Sequence, residues 1–256
     1  MMDYNVLRPG TEKFIFLENI KNIITTDSEF YSTLSFTFFY TFFVVLLSYL
    51  AGLLFSLLLN RDIKYKGLFR AFILAPWVVP SAVAATNWIW ILNDQIGFIN
   101  NILQSIEIIN SPILFLGSKQ IAKYTVIFTS AWKSFPFMTI VLLAGLSSIP
   151  SNLYEAAKID GANIWQTFKY ITFPLLKNVS LICTTLMFIW TFNNFGNIYL
   201  LTQGGPGKAT FTLSILTYYT AFFRGNIGYA SAIAVIMSIL LLIISIFYLR
   251  LNEEEN

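Results

Sequence analysis

The carboxylates Glu155 and Asp160 are the first residues that could do chemistry, because paired carboxyl groups can serve as general acid and base. Such a pair needs a catalytic partner, and the chain has no histidine and a single cysteine, Cys183, in an apolar segment. Histidine-dependent catalysis, imidazole metal sites, an intramolecular disulfide and a cysteine metal cluster are therefore excluded. The alternative role of the two carboxylates is capping and solvation of a short helix.

The residues around these carboxylates have the pattern of two short helices separated by a glycine. Asn152 followed by Glu155 resembles a capping box, and Asn163 with Gln166 repeats that signal. Gly161 suits the left-handed residue that ends a helix. Small residues on the contact face of the first helix predict that it lies close to another surface.

A second polar group lies among aromatic side chains in residues 190–199. Asn193 and Asn197 are four residues apart, so on a continuous helix they share a face. Amides inside a membrane need hydrogen-bond partners, which can be neighbouring helices or a polar ligand such as a sugar. Interhelical bonding with an interfacial aromatic belt is the alternative. The residues predicted to line a substrate path are Phe192, Asn193, Asn194, Phe195, Asn197, Tyr199 and Lys133.

Lys133 belongs to this group because a lysine within an apolar segment is a candidate functional residue. The alternative is a lysine that snorkels or pairs structurally.

The composition of the chain indicates a membrane protein. Of the 256 residues, 56% are hydrophobic and 11% charged, whereas soluble domains average about 25% charged residues. Long uncharged segments predict an all-α membrane protein with a bundle of about five transmembrane helices. The predicted spans are residues 35–59, 71–92, 123–146, 175–200 and 227–249, within a transmembrane domain of residues 35–250.

The loop of residues 60–70 predicts the orientation. Its basic residues are Arg61, Lys64, Lys66 and Arg70. Such a cluster beside a span favours the cytoplasmic side. Counting spans from it places residues 1–34 outside, and the loop of residues 147–174 and the tail of residues 251–256 inside. An outside N-terminal segment without a signal peptide suggests that a preceding span is missing, either truncated or never encoded.

No nucleotide-binding motif accompanies these spans. Gly207-Lys208 suggests a phosphate loop, but the Walker pattern needs glycine and Ser/Thr where the chain has Thr202 and Ala209. The net charge of +3, without a long basic run, argues against nucleic acid as a partner.

A longer motif runs through the loop of residues 147–174. Glu155-Ala156-Ala157, Gly161, Ile171 and Pro174 match the pattern E-A-A-x3-G-x9-I-x-L-P, with Phe173 in place of leucine. With this motif the chain resembles the inner-membrane permease subunits of binding-protein-dependent ABC importers, in their carbohydrate branch of maltose-F, lactose-F and glycerol-phosphate-A type. Similarity to that branch also lies in Asn60-Arg61, Gly67-Leu68-Phe69-Arg70-Ala71, Ala75-Pro76-Trp77, Trp132-Lys133-Ser134-Phe135-Pro136-Phe137, Ala144-Gly145-Leu146 and Leu201-Thr202-Gln203-Gly204-Gly205-Pro206. Two departures are Lys133, where an arginine is expected, and the absence of the family's first span.

The resemblance implies the ABC type I importer permease fold, with a cytoplasmic EAA coupling helix, in the bacterial inner membrane. It implies a transport subunit for a sugar or oligosaccharide rather than an enzyme. No cofactor would be bound by this chain, because ATP and Mg²⁺ would be used by two cytoplasmic ATPase subunits. The other partners would be a second homologous permease and an extracytoplasmic solute-binding protein. The ATPase-coupling residues would be Glu155, Ala156, Ala157, Asp160, Gly161, Ile171 and Pro174.

Two alternatives remain open on the sequence. One keeps the family and changes the cargo to glycerol phosphate, an amino acid or a polyamine; a phosphate would favour Arg or Lys in the pathway, where Lys133 could serve. The other is a secondary transporter or a channel. An ion-coupled carrier usually places carboxylates within its spans, and the five predicted spans contain no Asp or Glu.

Overall fold

The computed structural model describes residues 2–5, 13–61 and 64–253, which are mostly helical. Two short antiparallel strands, β1 (Met2–Asp3) and β2 (Lys13–Phe14), precede the helices. The α-helices are α1 (Glu18–Thr26), α2 (Ser28–Leu59), α3 (Lys66–Val78), α4 (Ser81–Ile91), α5 (Phe98–Ser105), α6 (Lys119–Ser147), α7 (Ser151–Ile159), α8 (Ile164–Thr167), α9 (Phe173–Phe192), α10 (Gly196–Thr202), α11 (Leu213–Tyr218) and α12 (Ile227–Glu253). Two π-helical turns, Phe168–Thr172 and Tyr219–Phe223, follow α8 and α11. The expected all-α fold is confirmed.

Among the described residues, four helical runs are long and apolar enough to cross a membrane: α2, α6, Ile164–Phe192 and Ile227–Tyr248. A fifth span results if α3 and α4 count together. These two helices meet at 95°, so the span predicted over residues 71–92 is not one straight helix. Pro80 causes the break: it has no N–H, and its ring holds Val79 in an extended conformation (φ −61°, ψ 128°).

The contacts between α2 and α6 show that these helices run parallel. Tyr40 donates a hydrogen bond to Ser130 Oγ (2.8 Å), and further along both helices Gly52 lies against Met138. A Cβ on Gly52 would lie 2.5 Å from the Met138 Cβ atom, so only glycine permits this helix separation.

Helix α9 runs in the opposite direction to α2. The Tyr49 hydroxyl donates to Ser180 near the start of α9 (3.0 Å), whereas Phe38 meets Phe192 at its end, with ring centroids 5.4 Å apart. The loops that follow α2 and α6 therefore share one end of the bundle. We call it the inner end, after the predicted orientation, and the opposite end the outer end.

Two clusters of buried apolar side chains form the core. The outer cluster includes Tyr40, Phe192, Ile198, Leu213 and Ile233, and the inner cluster contains Met138, Leu142, Leu146, Leu176, Cys183 and Met187. Most of the remaining apolar surface faces outward: only 28% of the most apolar window of α2 is buried. Such a surface suits helices surrounded by lipid.

The N-terminal part of the chain is fastened to the outer end. Helix α2 begins at Ser28, seven residues before the predicted span, because the Asp27 side chain caps it by accepting from the Phe30 N–H (2.9 Å). The predicted N-terminal segment of residues 1–34 therefore holds β1, β2, α1 and the first turns of α2, and its residues 6–12 lie outside the described ranges. Residues 254–256 of the predicted tail lie outside them as well.

Five side chains make the main polar contacts at this outer end, and we call them the outer clamp: Asp27, Glu29, Lys208, Arg224 and Tyr229. Glu29 accepts from Lys208 (2.6 Å) and from Arg224 (2.8 Å), and the Tyr229 hydroxyl donates to Asp27 (2.7 Å). These contacts join the start of α2 to the loop before α11 and to the start of α12.

The fourth predicted span, residues 175–200, contains a break. Helix α9 ends at Phe192, and helix resumes only at Gly196. The Asn194 side chain accepts from the Asn197 N–H (3.2 Å), an interaction that competes with helix continuation. The prediction that Asn193 and Asn197 share one face of a continuous helix is therefore wrong.

Candidate functional site

The first helix of the loop at the inner end, α7, begins two residues earlier than its sequence signals indicate. Pro150 is the N-cap residue of α7 (φ −59°, ψ 131°), and no side chain caps this helix. Asn152 and Glu155 thus lie inside the helix, where they cannot form the predicted capping box. That prediction is wrong because Pro150 already supplies an extended residue, and the following Ser151 is free to start the helix.

The glycine break and the second capping box are confirmed. Gly161 has φ +77°, the left-handed conformation that glycine adopts without strain. The Ala162 N–H donates to the Ala157 carbonyl (2.9 Å) and the Gly161 N–H to the Lys158 carbonyl (3.2 Å), which together form a Schellman motif. Asn163 then caps α8, with reciprocal bonds to Gln166 of 2.9 and 2.8 Å.

The solvent-exposed surface of this loop carries both the motif residues and large apolar side chains. Of the predicted coupling residues, Glu155, Ala156, Asp160, Gly161 and Pro174 are exposed, whereas Ala157 and Ile171 are half-buried. Three apolar side chains on the same loop are strongly exposed: Ile159 at 86%, Ile164 at 79% and Trp165 at 70%. Grouped apolar exposure on a polar loop indicates an interaction surface.

The second half of the loop is helically continuous with a span. Residues Ile164–Phe192 form one helical run, with the π-helical turn Phe168–Thr172 between α8 and α9. The Tyr154 hydroxyl on α7 lies 3.2 Å from Thr172 Oγ1, which ties the first helix of the loop to the same run. A cavity of about 1190 Å³ separates the loop from the ends of α2 and α6, so few other contacts restrain it.

Lys133 supports the break between α3 and α4. Its ammonium donates to the carbonyls of Val79 (2.6 Å) and Pro76 (3.4 Å). Pro80 has no N–H to offer the Pro76 carbonyl four residues earlier, so Lys133 replaces the missing donor. The positive charge also lies at the C-terminal end of α3, where the helix dipole stabilises it. Lys133 therefore makes structural hydrogen bonds, which is the alternative that the sequence analysis gave for it.

Lys133 also borders a polar cavity of about 340 Å³ between α3, α4, α6 and the break after α9. Other predicted path residues that line it are Asn194, Phe195 and Asn197. The remaining three lie elsewhere. Phe192 is fully buried in the outer core cluster, Asn193 is exposed and donates to the Ile189 carbonyl (3.0 Å), and Tyr199 stacks on Phe195 with ring centroids 4.7 Å apart.

The cavity also has lining residues that sequence reasoning did not assign to a path. They are Trp77, Ser81, Ser134, Phe137, Met187, Trp190, Thr191 and Gly196. Pro80, which separates α3 from α4, was the sequence signal that could have found these residues, because a break at membrane depth is tolerated where it borders protein or a cavity. With amides, hydroxyls, an ammonium and the Phe137 and Trp190 rings (5.0 Å apart), the lining suits a ligand with many hydroxyls.

Comparisons with known proteins agree with this geometry. Residues 44–254 match the model of the family described as binding-protein-dependent transport system inner membrane component. The trehalose/maltose transport system permease protein MalF of Thermococcus litoralis is 39% identical over 240 residues, which cover 94% of this chain and 80% of that protein.

Solved structures show the same fold. A bacterial ABC transporter involved in import of the acidic polysaccharide alginate has a chain that superposes with a TM-score of 0.83 at 22% identity, covering 94% of this chain and 84% of that one. A bacterial alginate ABC transporter in complex with an alginate pentasaccharide-bound periplasmic protein gives a TM-score of 0.77 at 21% identity, covering 92% and 87%.

Proposed function

Because the chain belongs to the family of binding-protein-dependent transport system inner membrane components, we propose that it forms the translocation path of an ATP-driven sugar importer together with a second, homologous permease. Family membership makes it a multi-pass inner-membrane permease subunit and not an enzyme. The observation that carries the proposal is the exposed two-helix loop at the inner end, which is helically continuous with the span bordering the polar cavity.

The loop is the coupling element in this proposal, and it docks in a cleft of a cytoplasmic ATPase subunit. Ala156 and Ala157 allow close approach, Gly161 sets the angle between the two helices, and Glu155 pairs with a basic group of the ATPase. The exposed Ile159, Ile164 and Trp165 support docking, since a soluble partner would cover them.

Movement of the loop would reach the cavity through α9. Closure of the ATPase dimer on ATP would draw the loops of the two permeases together. The force would pass from α7 through the Tyr154–Thr172 contact, and from α8 through the π-helical turn that ends just before Pro174. The far end of α9 carries Trp190 and Thr191 into the cavity lining, so rocking of this helix would alternate access to the cavity.

A sugar is the cargo that the cavity and the relatives favour. The Thermococcus litoralis relative is named for trehalose and maltose, and this chain covers 80% of its length. Asn194 and Asn197 offer amides to hydroxyls, and Trp190 offers a ring to the C–H face of a pyranose. An external solute-binding protein would deliver the cargo. ATP and Mg²⁺ would act on the two ATPase subunits, and this chain would bind no cofactor.

Co-purification and uptake test the proposal. Affinity capture of the full chain from its own membranes should bring down an ATPase and a second permease, and proteoliposomes of that complex with its binding protein should take up trehalose or maltose only with ATP. Glu155→Lys should abolish uptake while the protein still reaches the membrane. Uptake without an ATPase would instead identify a channel or a secondary transporter.

A second candidate cargo is a phosphate-bearing solute such as glycerol phosphate. The Lys133 ammonium at the cavity wall favours it, because a cation recognises a phosphate. Direct uptake separates the two cargoes: labelled maltose should enter and labelled glycerol 3-phosphate should not if the cargo is a neutral sugar, and the reverse should hold if the cargo carries phosphate.

A further inference from the structure

A cavity of about 660 Å³ lies at the outer end between the starts of α2 and α6, and we call it the basic recess. Among the described residues its lining includes three lysines, Lys119, Lys123 and Lys208, and a single carboxylate, Glu29, which Arg224 also contacts. Within the described ranges neither Lys119 nor Lys123 has a carboxylate partner. The recess therefore has an excess of positive charge.

A second, apolar cavity lies further inward along α2 and α6, and we call the surface that contains both cavities the groove. It has a volume of about 540 Å³, and we call it the lateral cavity; its lining is Leu47, Ala51, Phe55, Phe72, Ile73, Pro76, Phe128, Ala131, Trp132 and Phe135. From Lys123 to Trp132 the helix rises about 14 Å. That distance is close to half of the roughly 30 Å hydrocarbon thickness of a bilayer, so the cavity lies near mid-membrane depth.

Exposed aromatic side chains lie between the basic recess and the lateral cavity. Phe39 and Tyr124 line the recess with ring centroids 6.4 Å apart, and Tyr124 is 64% exposed. One turn further along α6, Phe128 is 56% exposed and lines the lateral cavity. Going inward, the groove presents cations, then an aromatic belt, then an apolar cavity, which is the order of the layers of a lipid leaflet.

We infer that this groove binds one anionic phospholipid, with its phosphate in the basic recess and an acyl chain in the lateral cavity. Lys119 and Lys123 would contact the phosphate, and Tyr124 would lie at the level of the glycerol. The continuous path into the membrane favours a lipid over an acidic segment of a protein, because a protein segment would leave the lateral cavity uncovered. The inference is independent of which cargo the importer carries.

Native mass spectrometry of the full chain, purified in mild detergent with its partner subunits, tests this inference. Phosphatidylglycerol and phosphatidylcholine with the same acyl chains serve as probes. Phosphatidylglycerol should be retained preferentially, and its affinity should fall about fivefold in Lys123→Gln and about thirtyfold when Lys119→Gln is added. The matched control is Lys21→Gln, an exposed lysine on α1, which should bind as the wild type does.

Two further arms separate a lipid from other occupants. Ala51→Phe, which fills the lateral cavity, should weaken phosphatidylglycerol retention, and glycerophosphoglycerol, the headgroup alone, should not displace the lipid. Tyr124→Cys should react with a lipid-soluble maleimide and not cross-link to a partner subunit; the native Cys183 is buried and gives little background. Equal retention of the two lipids, displacement by the headgroup alone, or a cross-link from position 124 to another subunit would overturn the inference.

Discussion

The two ends of the bundle are held by contacts of different range. At the inner end, the loop takes its shape from bonds between residues three to five positions apart, in the Schellman motif and the capping box. At the outer end, the clamp joins residues that are 179 to 202 positions apart. A loop shaped by local bonds can move as one piece, whereas an end crossed by long-range contacts resists movement. The comparison therefore predicts that the inner end is the part that moves.

Gly161→Val gives the largest expected effect, because it attacks the local geometry of the inner loop. A β-branched residue at φ +77° is strained by roughly 1–3 kcal/mol, and the angle between α7 and α8 would change to relieve that strain. We expect ATP-dependent uptake to be lost while the protein level in the membrane stays normal, as measured by immunoblot of membrane fractions.

Gly67→Val is the control for this variant. Gly67 also lies at the inner end, at the start of α3, but it has no positive φ and nothing within 4 Å of an added Cβ. It should retain most of the uptake. Normal uptake by Gly161→Val would remove the loop from the coupling path.

Lys133→Met should produce the next largest effect. It acts between the two ends of the bundle, at the break between α3 and α4. The change leaves the Val79 and Pro76 carbonyls without a donor, which costs about 1–3 kcal/mol for a buried polar group. We expect a lower thermal midpoint in detergent and slower uptake, with partial rescue in Lys133→Arg, which keeps the charge. A thermal midpoint equal to that of the control Lys21→Met would show that the break does not need this lysine.

The sequence predicted the local part of the molecule better than the long-range part. Gly161 and the Asn163–Gln166 box were predictable because each needs only a few neighbouring residues. The Asn152 cap was mispredicted because Pro150 and Asn152, two residues apart, can each precede the start of a helix, and in the structure the helix starts after Pro150. Both signals are local, but which of the two residues precedes the helix depends on where α6 ends.

The breaks within the spans could not be predicted for a different reason. Pro80 lies at the break in the second span, but the 95° bend is also supported by Lys133, which donates to the Val79 carbonyl from 54 positions further along the chain. Helix α9 ends at Phe192, whose ring packs into the outer core cluster and so does not line the cavity. Consequently the cavity contains only four of the seven predicted path residues.

Asn163→Ala should have a smaller, local effect. It distinguishes the observed cap at Asn163 from the cap that was predicted at Asn152. Losing the capping box costs about 1 kcal/mol of helix stability. Because α8 is exposed, the global thermal midpoint should barely change, while uptake should fall severalfold as the loop frays. Asn152→Ala is the matched control, since Asn152 makes no cap bond and its loss should leave uptake unchanged. Equal effects of the two substitutions would contradict the assignment of the cap.

Glu29→Gln should have the smallest effect, because it weakens the outer clamp without touching the loop or the cavity. The partners Lys208 and Arg224 are about half exposed, and exposed ion pairs contribute roughly 0.2–1 kcal/mol each. We expect a slightly lower thermal midpoint at low salt and unchanged uptake. The difference from wild type should shrink in 1 M NaCl, where the Debye length is about 3 Å and these pairs are screened. Glu18→Gln on α1 is the control. A loss of uptake comparable to that of Gly161→Val would mean that the outer end takes part in the movement, and the distinction between a fixed and a moving end would have to be abandoned.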